Sequence, residues 1–196
     1  MEKINFIKTF IPKGDFSEKY EHGGMIVRHL AAVLDEKMGA YECYECTVPI
    51  DEYDEGEIQE AFTEFSAKMD ALKLKQAKAD KIAEIAAYDT SGKVNGFILN
   101  GLLVWLDKAT RVGLMNSTTI AKAAGQETTT LWLGGIKLVV DCDKAIQLLS
   151  ALEMYALECF NVTASHKAAV SELKSIEKVE TYDYKSGYPK MLEMSV

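Results

Sequence analysis

Histidine, proline and cysteine are scarce in this chain, at three, three and four of 196 residues. His22, His29 and His166 are scattered, and Cys43-Tyr44-Glu45-Cys46 is the one closely spaced cysteine pair. A structural zinc site usually takes four ligands, so this set does not complete one. In a strand the two thiols point to opposite faces, and a thioredoxin-like pair belongs at a helix start. Buried, reduced thiols are the expectation. Basic residues are also in deficit: 22 Lys and Arg face 30 Asp and Glu, for a net charge of −8. That balance argues against nucleic acid or an anionic membrane as the main partner, because phosphate binding draws on clustered cations. No apolar run reaches the roughly 18 residues of a membrane span. The opening Met1-Glu2-Lys3-Ile4-Asn5-Phe6 lacks the basic and apolar segments of a secretion signal, so synthesis and folding in a cytoplasm are expected. There is no phosphate loop, dinucleotide fingerprint or Ser/His/Asp order.

What is abundant is apolar surface, at 48% of residues, enough for a core. The organising stretch runs from Val94 to Leu173 and uses one unit twice. In the first copy Phe97-Ile98-Leu99 and Leu102 to Leu106 flank Asn100-Gly101, and a helix opens at Asp107-Lys108-Ala109. In the second, Leu131 to Leu133 and Ile136 to Val140 flank Gly134-Gly135, and a helix opens at Asp143-Lys144-Ala145. Asn-Gly between apolar runs signals a hairpin, because a type I′ turn needs positive φ at both central residues. Asp107 and Asp143 are read as helix caps and Asp141 as a turn residue, which places the structural reading ahead of a metal or acid–base role for Asp141 and Asp143. The first helix stops at Gly125, with a weak middle at Asn116-Ser117-Thr118-Thr119. The second runs from about Asp143 to Ile176. Its stripe is Ala145, Leu149, Leu152, Ala156, Cys159, Thr163, His166, Val170 and Leu173. His166 reads as a satisfied, partly buried histidine. Trp105 and Trp132 occupy matching strands and read as core or sheet-face residues.

Upstream, Ile4 to Ile11 reads as a strand ended by Pro12, and Tyr41 to Val48 as one stopped by Pro49. Between them, Ile26, Leu30, Val33 and Leu34 fit a helical face, while Met25-Ile26-Val27 could begin a strand; the helix is favoured. After an acidic run a long helix extends to about Ala87. Ile58, Phe62, Phe65, Met69 and Leu72 follow a heptad that continues through Gln76, Ala79, Ala83 and Ala86. Two readings are open: a self-association helix with the first five as its seam, or an amphipathic helix packed on its own domain. Tyr182, Tyr184 and Tyr188 mark a C-terminal arm suited to partner contact, which could equally pack back on the sheet. The fold class is therefore α+β. It comprises a small N-terminal αβ region (1–50), a long coiled-coil-like helix (51–88), a duplicated ββα domain (89–176) and a Tyr-rich arm (177–196). No catalytic, cofactor-binding or metal-binding residue is assigned.

The run Gly96-Phe97-Ile98-Leu99-Asn100-Gly101 to Trp105-Leu106-Asp107-Lys108-Ala109-Thr110-Arg111 resembles a domain of unknown function found in phage and prophage tail-fibre-region proteins. So does Thr129-Thr130-Leu131-Trp132-Leu133-Gly134, followed by an Ala-rich helix with Glu158-Cys159-Phe160 and Ala168-Ala169-Val170. The resemblance covers residues 94–175 and carries no known catalytic residue. It implies a virion component of the tail, tail fibre or baseplate made in a bacterial cytoplasm; with no active site assigned, a non-enzymatic role through contacts with other tail proteins is expected, and the heptad helix, if it joins subunits, makes the protein a homo-oligomer. An assembly chaperone absent from the finished particle is the alternative, and a small metal- or thiol-dependent enzyme a more distant one.

Overall fold

The computed structural model describes residues 4–196. The chain divides into two compact units, Met1–Lys73 and Leu74–Val196.

The first unit holds an antiparallel four-stranded sheet in the order β1-β4-β3-β2. Its strands are β1 (Ile7–Pro12), β2 (Lys19–His22), β3 (Met25–Asp35) and β4 (Ala40–Pro49). The helix expected over Met25 to Leu34 is instead β3, so the sheet, with no helix inside it, makes up this part of the chain. The apolar positions resemble a helical face for two reasons. β3 is an inner strand, buried on both sides through Ile26 and Leu30 on one and Val27 and His29 on the other. The register also shifts between Leu30 and Val33, where Ala31 takes φ 51°, so the two-residue period breaks.

After a short 3-10 turn, Ile50–Glu52, comes α1 (Glu55–Asp89). Asp54 starts α1 by accepting from the backbone N–H of Gly56 at 2.7 Å and of Glu57 at 3.1 Å. Arg28 on β3 grips Glu55 in the first turn, Nη2 to Oε1 at 2.6 Å, and donates to the Glu18 carbonyl at 2.8 Å. Ile58 and Phe62 are then buried against the sheet with Phe6, Ile26, Leu30, Cys46 and Val48, and Phe65 packs at the edge. The Phe6 ring lies 5.3 Å from that of Phe62 and 5.2 Å from that of Phe65. Each such side chain contributes about 1.5–3 kcal/mol by leaving water.

This packing corrects the seam reading. Ile58, Phe62 and Phe65 fill the core of their own unit, Met69 is half-buried, and only Leu72 of the five is exposed. Nor does the heptad continue. Gln76, Ala79 and Ala83 face outward, whereas Leu74, Ala77, Ile82 and Ile85 pack with Val170, Leu173 and Val179 in the second unit. An even heptad cannot describe a helix whose buried stripe is set by different neighbours along its length.

The second unit repeats the strand–strand–helix module. The first copy is β5 (Phe97–Leu99), β6 (Leu102–Val104) and α2 (Lys108–Ala123). The second is β7 (Thr128–Leu133), β8 (Ile136–Asp141) and α3 (Cys142–Glu172). Both turns have the expected backbone, with φ 51° and 82° at Asn100 and Gly101 and 58° and 89° at Gly134 and Gly135. Phe97, Leu99, Leu131, Leu133, Leu149 and Leu152 form the centre of one core. α2 passes through Asn116–Thr119 without a break. Thr118 is fully buried there and its hydroxyl lacks a hydrogen-bond partner.

The C-terminal arm is also not free. It opens with a short helix, α4 (Ile176–Glu180), and near its end forms β9 (Leu192–Met194), which pairs parallel to β5. The resulting order is β6-β5-β9. Asn100, which makes the first turn, also accepts the Val196 N–H on its side chain at 3.0 Å. Tyr184 and Tyr188 each meet Tyr88 edge-on with ring centroids 5.7 Å apart. Among the described residues no helix is long and apolar enough to cross a membrane.

Phe62 sets a test of this packing. Replacing it by Ala is expected to destabilise the first unit by about 3 kcal/mol, read by chemical denaturation. Phe62→Asp is expected to unfold that unit; a fully folded variant of lower mass would restore the seam reading.

Candidate functional site

Within the second unit a cleft of about 390 Å³ opens beside the start of α2. The end of the first hairpin supplies Trp105 and Leu106, and the first turn of α2 supplies Asp107, Lys108 and Arg111. α3 contributes Glu153, Ala156, Leu157 and Phe160, whose three- and four-residue spacing places them along one helical face. Asp89, Thr90 and Asn95, around the end of α1, close the remaining side.

Arg111 is the buried charge of this cleft, 8% exposed. Its Nε donates to Glu153 Oε1 at 2.7 Å and its Nη1 to the Leu106 carbonyl at 2.8 Å. A cation in the first turn of a helix opposes the helix dipole, so the ion pair with α3 offsets an unfavourable position. Asp107 caps α2 through the Thr110 N–H at 2.8 Å, and the Thr110 hydroxyl adds a bond at 2.6 Å. These bonds, the hydroxyl first, hold the Asp107 carboxyl below its ordinary range.

Behind the cleft, a polar ladder runs along α3. Tyr155 and Cys159 both donate to the Val94 carbonyl, at 2.6 and 3.2 Å. Thr163 donates to Asp89 Oδ1 at 2.7 Å and lies 3.0 Å from the Tyr188 hydroxyl. His166 bonds the Tyr182 hydroxyl through Nδ1 at 2.9 Å and the Ser186 carbonyl through Nε2 at 3.0 Å. Burial pushes the Tyr155 hydroxyl and the Cys159 thiol up, so both stay protonated as donors. The three tyrosines suggested for partner contact are thus half-buried structural members: Tyr182 and Tyr188 bond to α3, and Tyr184 packs on Tyr88. The reason is that α3 presents hydroxyl and imidazole partners at the height of this segment.

The other sequence candidates are dispersed. Cys43 and Cys46 lie on opposite sides of β4, both buried, and burial raises both thiols. His29 is buried in the first unit, bonded to the Ser17 carbonyl and 3.2 Å from Glu45 Oε2, with the rings of Phe16 and Tyr20 alongside. His22 is exposed on β2. The cap of α3 is Asp141, which accepts from the N–H groups of Asp143 and Lys144 at 2.9 and 3.1 Å. Asp143, expected to be the cap, lies one position inside the helix and pairs with Lys122 of α2. Trp105 and Trp132 are both substantially exposed, the first at the cleft and the second on the outer face of β7, so neither is a core residue. Among the described residues no group of three or more His, Cys, Asp or Glu is placed to hold a metal ion. Arg111, Glu153 and Asp89 were missed because their partners are distant in the chain; a lone Arg in a helix's first turn was the available hint.

Fold and site together define an α+β protein whose second unit repeats a strand–strand–helix module beside an open, mixed-polarity cleft. Residues 76–186, more than half of the chain, match the family described as Domain of unknown function (DUF4376), and the chain belongs to that family. No curated protein and no solved structure shows significant similarity to it.

Glu153→Leu leaves the Arg111 guanidinium without its carboxylate. It is expected to cost about 2 kcal/mol in denaturant unfolding, and Glu153→Gln less, since it keeps an acceptor. Asp107 generates a pH prediction. A carboxyl with a lowered folded-state pKa stabilises above its unfolded value, and that contribution fades as pH falls through the lowered one. Stability of the wild type is therefore expected to drop more steeply below the ordinary carboxylate range than that of Asp107→Asn, measured by melting across acidic pH.

Proposed function

We propose that this chain is a non-enzymatic contact protein of the phage or prophage tail, tail-fibre or baseplate region. The observation that carries the contact role is outward apolar surface on the second unit. Trp105, Trp132, Val139, Leu157 and Phe160 are between 42 and 67% exposed. Trp132 and Val139 project from the outer face of the second hairpin, on opposite strands two register positions apart. Large apolar side chains held outward by a rigid frame mark a surface that another protein covers. The tail setting is supported by the resemblance of Gly96 to Arg111 and Thr129 to Gly134 to a domain found in tail-fibre-region proteins. Partners are then other tail proteins, and the site of action is the virion. Self-association through the first half of α1 is no longer part of the reading, because Ile58 and Phe62 are already covered.

Quantitative mass spectrometry of purified particles tests the proposal. The chain is expected at a fixed stoichiometry with tail components. Its absence from finished particles, with a requirement for their assembly, would replace the structural role by a transient assembly role. Absence with no effect on assembly would remove the tail setting altogether.

A further inference from the structure

The second hairpin is a sheet of β7 and β8 alone, so each strand keeps one edge with no strand beside it. Hydrogen-bonded and non-hydrogen-bonded pairs alternate along an antiparallel ladder. The Cys142 N–H donates to the Glu127 carbonyl at 2.9 Å, one step beyond the Thr128–Asp141 pair, and this bond sets the phase. The backbone groups of Ile136, Leu138 and Val140 therefore face β7. Those of Lys137 and Val139, and the N–H of Asp141, point to the free edge. None of these outward groups bonds another element among the described residues. The three side chains stand on the outer face and are exposed, Val139 at 67%. Lys137 has no ion pair among the described residues, and Asp141 caps α3 through Oδ1, which leaves Oδ2 outside the cap.

A lysine on a bare edge ordinarily discourages pairing. Against β8 itself Lys137 does the reverse. Two copies of β8 laid antiparallel about Val139 set Lys137 of each opposite Asp141 of the other, and Val139 opposite Val139. The register is self-complementary, as a two-fold interface requires. Opposite charges and β-branched side chains facing across strands each stabilise a pair. The backbone agrees with the charges: Val139 exchanges N–H and C=O with its counterpart, and the Asp141 N–H meets the Lys137 carbonyl.

The other edges offer no such match. β9 would set Glu193 against itself, and β7 would set Thr130 against itself without a charge pair. On β2 the Lys19 carbonyl is taken by the Ser17 hydroxyl at 2.8 Å, and the Lys19 ammonium lies over the Tyr53 ring. On β1, Lys8 is paired with Glu42 at 2.7 Å. β6 is short and uncharged, and Gly134 of the second hairpin lies against its Val104.

We propose that β8 is a dimerisation edge, joining two copies of the chain into one continuous sheet, β7-β8-β8-β7. Its outer face then carries Trp132 and Val139 of both copies. Dimerisation of this kind does not depend on the tail setting.

Sedimentation of the full chain tests it. At about 100 μM the wild type is expected at twice the chain mass. Lys137→Asp opposes carboxylate to carboxylate and Asp141→Lys ammonium to ammonium, so each should dimerise about tenfold or more weakly alone. Mixed in equal amounts, the two variants regain opposite charges at both ends and should form a heterodimer. Val139→Asp, at an exposed position, should be a folded monomer by circular dichroism; it carries the test if Asp141→Lys, which removes the α3 cap, does not fold. In the wild-type dimer the Val139 amide, which has no acceptor within the chain, should exchange slowly with solvent. A monomeric wild type at that concentration overturns the proposal and leaves the edge to another protein's strand or to solvent. Dimers undiminished by both Lys137→Asp and Val139→Asp, or folded charge variants that fail to associate when mixed, overturn it as well.

Discussion

One face of α3 carries the second unit. Over its first half that face is apolar, and Ala145, Leu149 and Leu152 are buried against the hairpins. Further along it becomes polar without becoming exposed. Tyr155, Cys159, Thr163 and His166 follow at helical spacing; Thr163 bonds Asp89 at the end of α1, and the other three bond segments with no regular structure of their own. Irregular backbone can be buried only if its polar groups find partners. The Val94 carbonyl finds two of them on α3. The same ladder fastens Asp89 and the tyrosine segment, so the sequence after α1 and the sequence before β9 are held by one helix.

The cleft is a consequence of that arrangement. α3 turns Glu153 and Phe160 to the side where α2 begins, and the ladder holds Asp89 nearby. Arg111 can sit buried in the first turn of α2 because Glu153 and the Leu106 carbonyl receive it. Charge pairing inside the unit, Arg111 with Glu153, and the Thr163–Asp89 hydrogen bond therefore hold the walls of the cleft together.

Much of the second unit was legible in the sequence because its signals are local. Asn100-Gly101 and Gly134-Gly135 define their own turns, Asp107 caps the helix that follows it, and the α3 stripe names the residues that face inward. The errors arose where distant neighbours decide. Met25–Asp35 has helix-like apolar spacing only because it is buried on both faces and bulged. Asp143 lost the cap to Asp141, two positions upstream, because the helix begins at Cys142. The three residues of β9 are too few for a periodic pattern, and their strand exists because β5 has an edge to offer.

Sequence alone determined the α+β class, the repeated module, the hairpin turns and the position of the long helix. Each depends on residues within a few positions of one another, where backbone sterics and hydrogen bonding act directly. Tertiary structure alone decided what the first heptads of α1 bury, where the tyrosines lie and which charges meet in the cleft. Arg111 and Glu153 are separated by 42 positions and Asp89 and Thr163 by 74. Pairs so far apart leave no periodicity in the chain; they become neighbours only when burial of the apolar stripe on α3 brings its polar residues to the same side.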